Sequence, residues 1–158
     1  MRLIGWALAA LAVLWAAALP LAAYAASQPE AGSPASYFAL AVYAVGSVIC
    51  HQRPERSFHL WAAQLPVCAR CAGIYAGAAF GGIAAIAWTE SGPAAARQRQ
   101  APTSWTARIA LLLAALPAIV SLAYEWTTGH TPSNTIRALT GVLVGVVGAW
   151  LVVRQTLR

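Results

Sequence analysis

Cys50, His51, His59, Cys68 and Cys71 crowd into residues 50–71, which hold all three cysteines and two of the three histidines of the 158-residue chain. Thiolate and imidazole are the ligands that zinc and softer ions select. Cys68-x-x-Cys71 delivers two sulfurs to one ion, Cys50 supplies a third, and His51 completes a Cys3His set. Zinc fits such a set, and the same sulfurs suit copper(I) or an iron–sulfur cluster. Because Cys50 and His51 are neighbours in sequence, both binding one ion requires a tight local bend, and His59 is the alternative fourth ligand. A closed four-ligand site of this kind is structural, so no catalytic residue is assigned. The odd cysteine count rules out complete internal disulfide pairing.

Two other chemistries use the same residues. Cys68 and Cys71 stand at the start of an apolar helix with Arg70 between them, which favours the thiolate. Such a pair could pass electrons between a thiol partner and a quinone. No thioredoxin-like context surrounds it, however, and three cysteines suit a thiol shuttle less well than four. Alternatively Arg56, Arg70 and Arg137, supported by Asn134 and Glu125, could recognise an anion or a lipid headgroup, since arginine forms forked bonds to phosphate and carboxylate. The plainer reading of the arginines is pairing with Glu55 and Glu125 or reaching to the interface. For the cysteines it is burial as small apolar groups. His130 reads as a surface histidine, and Gln52, Ser57 and Phe58 as residues that shape the connector.

The elements that position this cluster are apolar helices. The chain is 60% hydrophobic and 9% charged, against about a quarter charged for a soluble domain. It reads as one all-α integral membrane domain over residues 1–158: a polytopic bundle of about five helices, four full crossings and one possibly short. The helices are expected at 1–26, 35–50, 67–88, 105–125 and 134–155, with 50–67 as the connector that carries the site. Residues 1–26 are read as a first transmembrane helix rather than a cleaved signal peptide. Pro20 and Ala23-Tyr24-Ala25 favour the latter, and the length of the apolar run favours the former. Gly73, Gly77 and Gly81, then Gly141 and Gly145, repeat a small-xxx-small spacing that lets helices approach closely. Pro117 predicts a kink. The formal charge of +6 comes entirely from arginine over glutamate. Those arginines sit at helix ends and in connectors, as a bilayer requires, so the lipid bilayer and not nucleic acid is the expected partner.

This helix order has a topological consequence. The helices at 67–88 and 134–155 start on one side of the membrane, so residues 50–71 and 125–137 share a face. If the two glycine stripes pack together, Arg137 approaches Cys71, and two helix N-termini point into the site. Arg97, Arg99, Arg154 and Arg158 belong to the opposite face, which the positive-inside rule then assigns to the cytoplasm, leaving the site extracytoplasmic.

Cys50-His51-Gln52, then Pro54-Glu55-Arg56-Ser57-Phe58, then Pro66-Val67-Cys68-Ala69-Arg70-Cys71-Ala72-Gly73-Ile74-Tyr75-Ala76-Gly77 resemble the signature of a prokaryotic integral membrane family, domain of unknown function 2085. Ser133-Asn134-Thr135-Ile136-Arg137 with Thr140-Gly141 resembles its second signature. The resemblance runs from about Tyr37 to Gly148. It implies a multi-pass protein of the prokaryotic inner membrane and names no activity. Family members often carry an acid and a glycine where this chain has Ser121 and Leu122, and a threonine in place of Ala72. Glu125, one turn beyond Ser121, is the residue that could stand in for that acid.

Overall fold

The computed structural model describes residues 2–28, 32–90 and 104–157. Five α-helices run through them: α1 (Arg2–Ala26), α2 (Pro34–Ile49), α3 (Ala69–Glu90), α4 (Ser104–Thr128) and α5 (Asn134–Thr156). Four of these, all but α2, are long and apolar enough to cross a membrane. The expected all-α bundle is thus present. Pro20 and Pro117 lie inside continuous helices, so neither breaks its helix; in a bundle, neighbours and nearby side chains offset the lost backbone bond.

The two glycine stripes build the centre of the bundle. A Cβ placed on Gly73, Gly77 or Gly81 of α3 would stand 2.0, 2.3 and 2.3 Å from the carbonyl oxygens of Ala138, Val142 and Val146 in α5. Reciprocally, one on Gly141 or Gly145 would stand 2.3 and 2.0 Å from the carbonyls of Arg70 and Ile74. The helices therefore meet backbone to backbone, in register every fourth residue. With lipid outside, this close packing and not hydrophobic burial is what holds membrane helices together. It also sets Arg70 and Gly73 opposite Gly141 and Ala138, so the start of α3 and the start of α5 lie side by side.

α1 packs across this pair and α4 leans on α5. Gly5 abuts Thr156 and Leu157, so α1 begins where α5 ends. Leu19, Ala22 and Ala23 share a buried cluster with Leu65 and Val67, so α1 finishes at the cluster end of the bundle. α2 follows after a short polar link and stops at Cys50, whose sulfur accepts the N–H of Cys68 at 3.2 Å. It therefore ends on the side of the cysteines, and at 16 residues it is shorter than the four candidate spans. With four crossings, residues near both ends of the described chain share the opposite side. Of the arginines assigned there, Arg154 lies over the ring of Trp150, 5.5 Å from its centroid; Arg97, Arg99 and Arg158 fall outside the described residues.

The connector is more ordered than its composition suggests. After a 3-10 turn at Pro54–Arg56 it forms a two-stranded hairpin, β1 (His59–Leu60) and β2 (Ala63–Gln64), antiparallel with His59 opposite Gln64. The loop between them is Trp61-Ala62, both at positive φ (50° and 63°). Two-residue hairpins demand that backbone, ordinarily supplied by Asn-Gly. Here two side-chain-bearing residues adopt it at a cost of about 1–3 kcal/mol each. Offsetting contacts come from Tyr24, whose ring meets Trp61 edge-on at 5.3 Å, and from Tyr43, whose hydroxyl donates to the Gln64 carbonyl.

Candidate metal centre

Gln52 folds the connector so that its two ends meet. Its backbone is left-handed (φ 46°), and its side-chain amide donates to the carbonyls of Tyr43 (2.9 Å) and Pro66 (2.7 Å). One residue thus ties the last turns of α2 to the stretch that precedes Cys68. Gly46 makes the approach possible: a Cβ there would stand 2.3 Å from the Pro66 carbonyl and 2.8 Å from the Gln52 amide nitrogen. The Gln64 amide donates to the Gln52 carbonyl at 2.6 Å and to Ser57 at 3.3 Å. Buried Ser57 donates to the Arg53 carbonyl at 3.0 Å, and Asn134 at the head of α5 donates to the Ser57 carbonyl at 3.1 Å. Gln52, Ser57 and Asn134 are scaffold, as the sequence implied for the first two. Tyr43, Gly46 and Gln64 belong to the same scaffold, and nothing in their local sequence marks them out.

The scaffold brings all three sulfurs together. The Sγ atoms of Cys50, Cys68 and Cys71 lie within 4.8 Å of one another, each half-buried and none in a disulfide. α3 begins at Ala69, two residues later than the expected 67, because Pro66 and Val67 are buried in a bend and the Cys68 N–H turns to the Cys50 sulfur. The imidazoles are not part of this group. His51 is exposed and lines the same cavity as the cysteines, and His59 is exposed on β1. Neither ring has a nitrogen within the 4.8 Å grouping. The three sulfurs of the expected Cys3His set thus stand together, and neither imidazole stands with them. The tight bend goes into the left-handed turn at Gln52, which folds Cys50 inward. His130 is exposed, as expected.

The Cys68 thiol is shifted towards its thiolate form. Hydrogen bonding from the Cys71 thiol pulls its pKa down to about 5, aided by the Cys71 and Arg70 backbone N–H groups and the Cys50 thiol, against burial that pushes it up. An unperturbed thiol titrates near about 8.5. In metal-free protein, alkylation of Cys68 is therefore expected to be near its plateau at pH 6. It should fall only as pH drops through about 5, rather than rising tenfold per unit towards pH 8. The pH profile of iodoacetamide incorporation, read peptide by peptide by mass spectrometry, checks this.

Beside the sulfurs lies a buried charge cluster. Arg56 and Arg137 each bring Nη2 to 2.7 Å from the same oxygen, Oε1, of Glu125. These are ion-pair distances whose angles miss hydrogen-bond geometry, and Oε2 of Glu125 is buried without a hydrogen-bond partner. Glu125 and Arg137 are buried at 6% and 4% side-chain exposure, while Arg56 keeps 36%. Arg70 instead donates from Nη2 to Ser121 at 2.9 Å. Pairing with Glu125, the plainer reading of the arginines, thus holds for Arg56 and Arg137. The Arg53–Glu55 pair is loose at 4.0 Å and exposed.

A cavity of about 460 Å³ opens over the cluster, lined by the three cysteines together with His51, Arg53, Arg56 and Trp126. Trp126 was not among the residues singled out from the sequence; its position next to Glu125 was the available signal.

A family model described as Predicted membrane protein (DUF2085) matches residues 50–151, from the first cysteine of the cluster to the last turns of α5. An uncharacterized protein of Methanocaldococcus jannaschii is 44% identical over 61 residues, 39% of this chain and 39% of that protein. An uncharacterized protein of Methanothermobacter thermautotrophicus is 57% identical over 30 residues, 19% of this chain and 27% of that protein. The chain thus spans well under half the length of the curated relatives it matches. No solved structure matches it.

Proposed function

The chain belongs to this family of membrane proteins, and on that footing we propose that it holds one metal ion, zinc by preference, on Cys50, Cys68 and Cys71 at the end of a multi-pass bundle in the prokaryotic cytoplasmic membrane. The observation that supports this is the convergence of three sulfurs from α2, the connector and α3 to within 4.8 Å. Zinc–sulfur bonds of about 2.3 Å in a tetrahedron put sulfurs roughly 3.8 Å apart, so little closure is needed. Copper(I) satisfies the same donors. Glu125, Arg137, Arg56 and Asn134 brace the connector against α4 and α5, and Arg70 fixes the start of α3 to Ser121. The site faces the extracytoplasmic side, because Arg97, Arg99, Arg154 and Arg158 are assigned to the other end.

The thiol-redox reading draws support from the depressed pKa of Cys68, and one preparation separates the two. Purified without chelator, the protein is expected to carry about one equivalent of metal by elemental analysis, lost in Cys50→Ser and in Cys68→Ser. Metal-free protein with three alkylatable thiols would overturn the proposal. A Cys68–Cys71 disulfide that cycles with a quinone would establish the redox reading in its place.

A further inference from the structure

Resting on that reading of the three sulfurs, we infer that the fourth coordination position is open to the cavity and takes an exchangeable oxyanion, a phosphate or carboxylate group, oriented by Arg56. Among the described residues no fourth histidine, cysteine or carboxylate joins the three sulfurs. Three protein ligands with one position left for an exogenous group is the pattern of reactive zinc sites, whereas structural sites are closed. Here the vacant direction is supplied by the 460 Å³ cavity that all three cysteines line.

The same cavity wall decides what enters. Arg53 and Arg56 line it, and among the described residues no acidic side chain does. Arg56 is held in place: its Nη2 is anchored 2.7 Å from Glu125, which buried Arg137 clamps from the other side. A guanidinium has five N–H donors in a planar fork, and Arg56 Nε has no hydrogen-bond partner. Two arginines against the single Glu125 carboxylate leave one positive charge in excess, and Arg56, which keeps 36% side-chain exposure, is the one of the two that lines the cavity. A group with two or more oxygens matches the fork while one of its oxygens faces the ion. Glu125 and Arg137 act here as positioning residues.

Cobalt(II)-substituted protein tests both levels at once. Thiolate-to-cobalt charge-transfer bands report that the sulfurs hold the ion, and the d–d bands report the fourth ligand. Titration with inorganic phosphate or acetate is expected to shift the d–d bands saturably, with charge transfer retained. Arg56→Gln should weaken that response at least about tenfold, the loss of a charge-assisted bond. Arg53→Gln, which leaves the Glu125 pair intact, should weaken it less. Phosphatidylglycerol and phosphatidylcholine nanodiscs separate the sources. Bands already shifted and deaf to added phosphate only in phosphatidylglycerol would identify a lipid headgroup, and an equal response in both a free anion. Charge-transfer bands with d–d bands indifferent to every anion, and altered in His51→Ala, would overturn the inference by making His51 the fourth ligand. Indifference without a His51 effect would overturn it equally. Absence of charge-transfer bands would instead overturn the metal reading itself.

Discussion

Glu125→Ala is expected to cost about 3–5 kcal/mol of stability, the penalty for orphaning a buried charge. The carboxylate is 6% exposed and faces Arg137, which is 4% exposed. Removing it leaves a guanidinium with neither partner nor water. Arg56, at 36% exposure, can turn towards solvent; Arg137 cannot. Arg137→Ala should cost less, because Arg56 stays 2.7 Å from the Glu125 carboxylate. The double replacement Glu125→Leu with Arg137→Met should recover much of either loss, because an apolar pair of similar volume needs no desolvation of charge. Thermal unfolding midpoints in detergent, with Glu125→Leu and Arg137→Met also measured singly to close a double-mutant cycle, would show this as strong non-additivity. A single-variant cost under about 1 kcal/mol would mean the pair behaves as an exposed one, contrary to its burial here.

Gly77→Leu is expected to prevent α3 and α5 from docking. Even the first added carbon would stand 2.3 Å from the Val142 carbonyl oxygen, and a backbone atom cannot swing aside. Overpacking a core usually costs about 1–3 kcal/mol. Here the collision is with a helix backbone at the centre of a register shared by five glycines, so the cost should exceed that range. It should appear as loss of the monodisperse peak in size-exclusion chromatography. Gly148→Ala is the control: it is in the same helix as Gly145, has nothing within 4 Å of its added carbon, and should be neutral.

The parts of this molecule that sequence reveals are those where physics is local and periodic. Helix-length apolar runs, glycines every fourth residue and the Cys-x-x-Cys spacing each carry their structural meaning within a few residues. From helix order alone, 50–71 and 125–137 had to share a face, and the Asn134–Ser57 and Arg56–Glu125 contacts lie there. The connector was opaque because its order is tertiary. The hairpin turn at Trp61-Ala62 has none of the glycine or asparagine that advertises such a turn. Its strain is met by Tyr24 and Tyr43 on two different helices. The position of the imidazoles was opaque for the same reason. Adjacency of Cys50 and His51 implied nearness to one ion, but the left-handed backbone at Gln52 folds the cysteine inward and leaves the histidine exposed. Ser121, one turn before Glu125, accepts a hydrogen bond from Arg70 Nη2 at 2.9 Å. Glu125 pairs with the other two arginines, Arg56 and Arg137.

X-ray absorption at the edge of the bound metal tests the three-sulfur centre most directly. For protein purified without chelator, the first shell is expected to contain three sulfurs at about 2.3 Å and a single lighter oxygen or nitrogen scatterer. The sulfur number should fall to two in Cys50→Ser. A shell of oxygen and nitrogen alone, or a sulfur number that Cys50→Ser leaves unchanged, would contradict a centre built from Cys50, Cys68 and Cys71.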